Sequence, residues 1–332
     1  MSNQYRVAVL MGGMSGEHEV SLHSGAGVVR ALAASGYQPI PVTIAKTGEW
    51  TFENEPARDI FTAVARLKEV RPDCIFIALH GTFGEDGRMQ GMLDLLGIPY
   101  TGSGCAASAL AMDKIRSKAV VEEAEVPVAG HAVFDLDTWR DGPEDIIATV
   151  EEGVGYPCVV KTPRLGSSVG VEIVSHSADL ASTVERIIAI DGEVMIEEFI
   201  SGREVTCSVL DVVPGDRCRA LPITEIRPRT AAFFDYEAKY TPGATEEITP
   251  ADLDPETTAD IQEFAMMVHE AVGCRGWSRS DFIIDEDGPV WIEVNTVPGL
   301  TETSLFPQAC AAEGISYEEM VRLFVEAAMR KV

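Results

Sequence analysis

The sequence predicts a protein that combines a parallel α/β region with two α+β regions. In the first third, short apolar strands alternate with helices, as in a parallel sheet with helices on both faces. In the middle third, pairs of strands joined by short turns indicate antiparallel pairing. In the last third, a long helix precedes a two-stranded hairpin at 279–295. These changes of pattern predict three domains, at 1–112, 113–210 and 211–332.

The N-terminal α/β domain is predicted from four apolar stretches and the loops between them. Strands are expected at 6–10, 39–45, 74–79 and 98–101, with one helix ending at Gly36 and another at 89–96. Glycine-rich loops at 12–16 and 80–87 follow the first and third of these strands. Because ligands of such sheets bind beyond the carboxyl ends of the strands, both loops are candidates for a binding site.

The two α+β domains follow from the remaining pattern. The middle domain begins with a helix at 114–121, which ends before Val126-Pro127. Its other elements are expected at 143–152 (helix), 156–161 and 169–174 (strands), 178–190 (helix), and 194–200 and 204–213 (strands). The last domain is expected to hold a strand at 221–226, a polar loop at 228–250, a helix at 255–272, the hairpin, and helices at 305–313 and 317–329. A loop of about 20 residues inside a compact domain is usually functional.

The composition argues against two classes of partner. The 332 residues include 26 basic and 53 acidic side chains, so the net charge is −27. Nucleic acid and anionic membranes both require a basic face, and neither is expected to bind. No stretch has the length of a membrane span, and the N-terminus does not resemble a signal peptide. Seven scattered cysteines without a C-x-x-C motif favour a reduced, cytoplasmic protein.

The hairpin at 279–295 predicts a cation site. Alternate side chains of a strand share a face, and the apolar face is expected to hold Phe282, Ile284, Val290, Ile292 and Val294. On the other face, Asp281 is expected opposite Glu293, and Arg279 opposite Asn295. Facing like charges destabilise a strand pair, so a cation is expected between the two carboxylates. Carboxylate and amide oxygens are ligands that Mg²⁺ uses together with phosphates; the alternative is a solvated outer face.

A glycine/serine loop at 166–170 follows Lys161 and predicts a phosphate site. Small residues let backbone N–H groups close around phosphate oxygens, and the lysine adds a point charge. The loop also matches the G-x-S-x-G motif of serine hydrolases, but that motif requires a helix after the turn, whereas 169–174 reads as a strand. The alternative is an ordinary hairpin turn.

Other candidate residues lie in loops or at the ends of elements. Histidines 18 and 23 are one residue too far apart to bind zinc from one helix face. Glu19 could hold a substrate ammonium, or it could simply be a favourable first-turn acid. His80 lies in a glycine-rich loop that is as easily structural as functional. Lys239 and Tyr240 lie in the long loop and suit a lid over a reacting phosphate.

The motifs taken together resemble the D-alanine–D-alanine ligase family of ATP-grasp enzymes. The similarity runs almost from end to end. It includes GGMSGEHEVSL at 12–22, HGTFGEDG at 80–87, MDK at 112–114, GSSVG at 166–170, EEFISGRE at 197–204, FDYEAKY at 234–240 and EVNTVPGLTETSL at 293–305. The resemblance implies an ATP-grasp fold, in which an N-terminal parallel α/β domain precedes central and C-terminal α+β domains.

The resemblance also implies roles for individual residues. ATP would be bound by Lys114, Lys161, Ser167, Ser168, Glu197, Glu198, Phe199, Ile200, Glu204 and Lys239. The metal ligands, for two Mg²⁺ or Mn²⁺ ions, would be Asp281, Glu293 and Asn295. The first D-alanine would be held by Glu19, in a triad with Ser167 and Tyr240, and His80 would lie near it. Arg279 and the Gly299 N–H would form an oxyanion hole, and Ser304 and Leu305 would bind the second D-alanine.

The implied reaction joins two D-alanines through an acyl phosphate, for peptidoglycan synthesis, in a cytoplasmic homodimer. Three positions depart from the family pattern: Thr162-Pro163 after the lysine, Phe234 in place of tyrosine, and Ser280 in place of valine. An alternative is an acceptor such as D-lactate or D-serine, against which Lys239 and Tyr240 argue. Another is a nucleotide-binding protein without catalysis, against which the complete hairpin set argues.

Overall fold

The structure is a computed structural model that describes residues 5–166, 170–212, 217–228 and 245–330. Three sheets with their covering helices make up the fold. Four predicted site residues, Ser167, Ser168, Lys239 and Tyr240, lie outside the described ranges. None of the described helices is long and apolar enough to cross a membrane.

The N-terminal sheet is mainly parallel, with helices on both faces, as predicted. Its strands are β1 (Arg6–Gly12), β2 (Gln38–Ile44), β3 (Trp50–Phe52) and β4 (Cys74–Ile77), in the order β3-β2-β1-β4. Strand β1 pairs in parallel with β2 and β4, and β3 adds an antiparallel edge. Alternate residues of β1 enter opposite cores: Val7 and Val9 pack with helix α1 (His18–Ala34), whereas Ala8 and Leu10 pack with α2 (Ile60–Val70) and α3 (Arg88–Leu96).

The predicted fourth strand at 98–101 is wrong. The segment forms only an isolated parallel bridge, between Ile75 and Tyr100. Ile75 donates its N–H to the Pro99 carbonyl, and Thr101 donates to the Ile75 carbonyl. Pro99 has no N–H of its own to extend the ladder, so the pairing stops there.

The central sheet is antiparallel and has one polar face. Its strands are β5 (His131–Asp135), β6 (Cys158–Lys161), β7 (Val171–Val174) and β8 (Glu193–Glu198), in the order β5-β8-β6-β7. Helices α6 (Leu136–Asp141), α7 (Pro143–Gly153) and α8 (Ser177–Asp191) cover the face that carries Val160 and Ile196. Lys161 and Glu197 alternate with these residues and therefore point from the other face. A strand, not a helix, follows Gly170, as expected.

In the part of the chain that the structure describes, the largest sheet has six strands. They are β9 (Arg203–Asp211), β10 (Arg219–Ala220), β11 (Thr224–Pro228), β12 (Thr245–Ile248), β13 (Gly276–Ile284) and β14 (Pro289–Asn295). The main order is β12-β11-β9-β13-β14, with β10 on β9. The remaining helices are α4 (Cys105–Met112), α5 (Lys114–Glu123), α9 (Pro255–Val272), α10 (Leu305–Ala312) and α11 (Tyr317–Met329).

The N-terminal sheet and the largest sheet share a core. Trp277 of β13 stacks on Phe324 of α11 with ring centroids 3.7 Å apart, and also contacts Phe76 of β4.

The domain limits proposed from the sequence stay a prediction. Strand β9 precedes the proposed limit at 211 but pairs along its whole length with β13.

The hairpin has the predicted pairing at its polar end and a bulge beyond it. Arg279 pairs with Asn295 and Asp281 with Glu293, but the register then shifts, so that Phe282 pairs with Trp291. The extra residue turns Trp291, not Ile292, into the core with Phe282 and Val294. The predicted inward orientation of Val290 and Ile292 is therefore wrong; both are only half-buried.

Candidate active site

A cavity of about 860 Å³ brings together predicted site residues from distant parts of the chain. Eight of them line it: His80, Lys114, Arg279, Glu293, Asn295, Gly299, Ser304 and Leu305. They come from the loop after β4, the start of α5, the hairpin, and the segment that leads into α10. The cavity thus lies where the carboxyl-end loops of the N-terminal sheet meet the hairpin, as expected for ligands of parallel sheets.

Arg279 is held in place by Asp281. Its Nε and Nη2 each donate to one carboxylate oxygen of Asp281, both at 2.8 Å. Such a bidentate contact fixes the plane of the guanidinium. Burial works against the charge of Arg279, but the adjacent Asp281 outweighs it and raises the pKa of the guanidinium. Arg279 is therefore a fixed cation in the cavity wall.

Lys114 contacts the second carboxylate of the hairpin. Its Nζ lies 3.2 Å from Oε2 of Glu293 and donates to the Leu165 carbonyl at 2.9 Å. This lysine therefore links the hairpin to the chain just before the glycine/serine loop. It begins α5, whose N-terminus is capped by Asp113.

The hairpin residues suit a divalent cation. Asp281 and Glu293 are directly paired, and directly paired residues have Cβ atoms about 5 Å apart. Asn295 Nδ2 lies 3.3 Å from Oδ2 of Asp281, so its amide is also within reach. Among the described residues no group of three or more His, Cys, Asp or Glu side chains could hold a metal ion, at the hairpin or elsewhere. Two carboxylates and an amide are a sufficient protein contribution for Mg²⁺, which keeps waters and phosphate oxygens as further ligands.

The structure does not bring Glu19 into the cavity. Its side chain is exposed on α1 and is not one of the described residues that line the cavity. Glu17, just before the helix, lines the cavity instead. A Cβ on Gly81 would lie 3.2 Å from its Oε2, so the carboxylate reaches the second glycine-rich loop. The sequence pattern favours the acid inside the helix, whereas in the structure the acid just before the helix lines the cavity.

His80 and Glu85 both line the cavity, His80 as a buried side chain and Glu85 as a half-buried one. His80 Nδ1 lies 3.0 Å from the Val297 carbonyl and Nε2 lies 2.9 Å from the Ser24 hydroxyl. Burial lowers the pKa of His80, so the neutral ring donates from Nδ1 and accepts at Nε2. Glu85 was not predicted as a site residue. Burial, with Glu17 nearby, raises its pKa to about 8.

The segment after the hairpin completes the cavity wall, and its backbone at Gly299 passes close to the Ser304 side chain. A Cβ on Gly299 would lie 2.8 Å from the Ser304 hydroxyl, so only glycine fits without a shift. The same hydroxyl accepts from the Thr301 N–H at 3.1 Å. Leu305 starts α10 and contributes an apolar surface beside this polar turn.

The predicted adenine segment lies apart from this cavity. None of residues 197–200 is among the described cavity-lining residues. Glu197 is buried and forms ion pairs with Lys118 and Lys161, whereas Glu198 is exposed and Phe199 and Ile200 are half-buried. Glu204 lies in β9, opposite Ile283. Glu197 and Lys161 thus lie on the polar face of the central sheet, where Lys118 of α5 contacts Glu197.

Comparisons with known proteins cover nearly the whole chain. Residues 6–103 match the family described as the D-ala D-ala ligase N-terminus, and residues 120–326 match the D-ala D-ala ligase C-terminus. The chain is 41% identical over 328 residues to a D-alanine–D-alanine ligase of Halalkalibacterium halodurans, covering 98% of this chain and 100% of that protein.

Two solved structures are also similar over most of their length. One is the D-alanine-D-alanine ligase from Coxiella burnetii, with a TM-score of 0.83 and 28% identity, covering 99% of this chain and 95% of that one. The other is the VanG D-Ala:D-Ser ligase from Enterococcus faecalis, with a TM-score of 0.82 and 31% identity, covering 98% and 100%.

Proposed function

The chain belongs to the D-alanine–D-alanine ligase family, and we infer that it joins two D-alanines into D-alanyl-D-alanine with conversion of ATP to ADP and phosphate. The product serves peptidoglycan synthesis. The fold is the ATP-grasp fold of its structural neighbours. The observation that carries this function is the single cavity in which Arg279, Glu293 and Lys114 meet the turn at Gly299.

The first step requires stabilisation of phosphate charge. The carboxylate of the first D-alanine attacks the γ-phosphorus of ATP, which gives an acyl phosphate and releases ADP. We propose that Lys114 and Lys161 contact the phosphates, and that Glu197 to Ile200 and Glu204 face the adenosine. Asp281, Glu293 and Asn295 would hold Mg²⁺ or Mn²⁺, which when bound neutralises phosphate charge.

We propose that Glu17, rather than Glu19, binds the ammonium of the first D-alanine. Its carboxylate lines the cavity beside Gly81 and is on the same side as His80. Ser167 and Tyr240 remain proposed partners of this carboxylate, and Ser168 and Lys239 remain proposed phosphate contacts.

In the second step, the amine of the second D-alanine attacks the acyl carbon and phosphate leaves. The tetrahedral oxyanion would accept hydrogen bonds from Arg279 and the Gly299 N–H, whose positions are fixed before the reaction. Asp281 orients the guanidinium, and contact with Ser304 restricts the position of Gly299. Ser304 and Leu305 would bind the second substrate.

The experiment that tests this function is phosphate release from ATP and Mg²⁺ with and without D-alanine. We expect release that depends on D-alanine, with D-alanyl-D-alanine as product. Absence of D-alanine-dependent release would refute the proposal. Competition between D-alanine and D-serine or D-lactate as second substrate, read by mass spectrometry, tests the alternative acceptors; a preference for either would replace D-alanine in that role.

We further propose a cytoplasmic homodimer. All seven cysteines are free, and six of them are buried, which suits a reducing compartment. Phe61 and Leu95 are large apolar side chains that are 85% and 91% exposed, on helices that cover the same face of the N-terminal sheet. We propose that these two side chains contribute to contact with a second copy.

A further inference from the structure

A buried cluster of three charges lies on the polar face of the central sheet. Lys118 of α5, Lys161 of β6 and Glu197 of β8 are each at most 5% exposed. Lys118 Nζ lies 2.7 Å from Oε1 of Glu197, and Lys161 forms an ion pair with Oε2. One carboxylate is thus shared by two ammonium groups that come from different parts of the fold.

The geometry of the cluster follows from strand pairing and helix spacing. In the β6–β8 ladder Lys161 pairs with Met195 and Val159 with Glu197, so Lys161 and Glu197 are diagonal neighbours on one face. Lys118 is one helical turn after Lys114, which lines the cavity. Helix α5 therefore presents one lysine to the cavity and the next to Glu197.

The cluster carries one positive charge more than its carboxylate neutralises. Burial alone would raise the pKa of Glu197, but the two lysines outweigh it and hold that pKa below its ordinary value. Glu197 is therefore ionised, and its one negative charge is divided between two cations. Unpaired buried charge is costly, so a cluster with a surplus cation suits a site that receives an anion.

Lys118 is the most deeply buried of the three charges. It is 1% exposed and is not among the described residues that line the cavity. The chain has only seven lysines, and two of them, Lys118 and Lys161, contact Glu197. The role of Lys118 must act through Glu197.

We propose that Lys118 is a positioning residue for ATP binding: by sharing Glu197, it keeps that carboxylate from fully neutralising Lys161, so the Lys161 ammonium stays available to phosphate. This inference rests on the proposed ATP-dependent function and deepens it. Without Lys118, Glu197 and Lys161 would form an ion pair with no net charge. Lys161 would then attract phosphate less strongly, while the residues that face adenosine would be unchanged.

The test compares the affinities of AMP-PNP with Mg²⁺ and of adenosine, measured by calorimetry, because their ratio isolates the phosphate contribution. Lys118→Met should lower this ratio on the order of 10- to 100-fold, the effect of losing one buried unit charge near an anion. The double variant Lys118→Met/Glu197→Gln removes both charges, restores the surplus on Lys161, and should recover most of the ratio. Lys68→Met, an exposed lysine on α2, is the matched control and should change nothing.

Several outcomes would overturn the proposal. An unchanged ratio in Lys118→Met would do so, as would an equal loss for adenosine and AMP-PNP, which indicates a structural defect. A double variant as weak as the single one would refute the charge balance. If Lys118→Met does not fold, the variant Glu197→Gln is the test instead. It should keep or raise the ratio of the two affinities, and a lowered ratio would contradict the proposal that Lys118 and Lys161 share the Glu197 carboxylate. If the wild-type protein turns over with D-alanine, the proposed function stands even where the proposal for Lys118 fails.

Discussion

Asp281 and Glu293 lie opposite each other in the antiparallel pairing of β13 with β14, and each carboxylate contacts a different cation. Asp281 holds Arg279, and Glu293 contacts Lys114. The repulsion expected between facing carboxylates is thus relieved by side chains that also line the cavity. A metal ion that binds here must share Glu293 with Lys114.

Removing one carboxylate of this pair should weaken Mg²⁺ binding without unfolding the chain. Asp281→Asn and Glu293→Gln should each raise the half-saturating Mg²⁺ concentration at least about tenfold, since losing even an outer partner of a ligand costs about 10- to 100-fold. Turnover is measured against Mg²⁺ concentration, with circular dichroism to verify folding. Glu286→Gln, in the exposed turn of the same hairpin, is the control. Unchanged Mg²⁺ dependence in both site variants would remove the hairpin as the metal site.

Arg279→Lys should reduce kcat far more than it changes the affinity for ATP. Lysine keeps the charge but cannot reproduce the bidentate contact with Asp281 or the fixed direction toward the oxyanion. We expect kcat to fall on the order of 10²- to 10³-fold, as for loss of one oxyanion donor. Arg186→Lys, an exposed arginine paired with Glu172, serves for comparison. A variant with wild-type kcat would show that Arg279 does not stabilise the transition state.

Glu85 should make stability depend on pH. Burial raises its pKa from 4.5 to about 8, so folding takes up a proton between these pH values. The stabilising contribution is complete below about pH 4.5 and is lost as the pH rises toward 8. Glu85→Gln stays neutral, so its Tm should fall less than that of the wild type between pH 5 and pH 8 in a thermal unfolding series. Parallel Tm curves for the two proteins would contradict this assignment.

Two buried serines on β13 should respond oppositely to alanine. Ser278 and Ser280 are both fully buried, but Ser278 lies 2.7 Å from His269 Nδ1, whereas the Ser280 hydroxyl has no partner among the described residues. An unsatisfied buried polar group costs about 1–3 kcal/mol. Ser280→Ala should therefore increase the free energy of unfolding in urea by about 1 kcal/mol, and Ser278→Ala should decrease it. Destabilisation by both would indicate that Ser280 has a partner in solution.

The net charge of −27 should make thermal stability rise with salt. Repulsion among surface carboxylates opposes the compact state, and the Debye length falls from about 30 Å at 0.01 M to about 10 Å at 0.1 M ionic strength. The Tm should increase over this range of KCl in the absence of ligands. A Tm that falls with added KCl would show that the exposed ion pairs stabilise more than the repulsion destabilises.

Much of the site could be predicted because it is built from short, local patterns of the sequence. The pairing of Asp281 with Glu293 follows from alternation around a short turn, and the structure has it. The bulge beyond it cannot be predicted, because alternation assumes one residue per partner, and so Ile292 was predicted to face the core in place of Trp291. The choice between Glu17 and Glu19 depends on where α1 begins, which is the least certain part of a helix in any sequence. The role of Glu85 could not be predicted from its own segment, because its raised pKa arises from burial and from charges elsewhere in the chain.

The core of the central sheet has a mechanical consequence. Its apolar residues all lie between 132 and 196 and are separate from the cores of the other two sheets. Its links to α5 include the ion pairs Lys118–Glu197 and Arg164–Asp113, the second at 3.5 Å. An interlocked apolar core resists shear, but charged partners can be exchanged for those of a ligand. We therefore expect the central sheet to move as a unit about these ion pairs, and to close over the nucleotide when phosphate contacts Lys161.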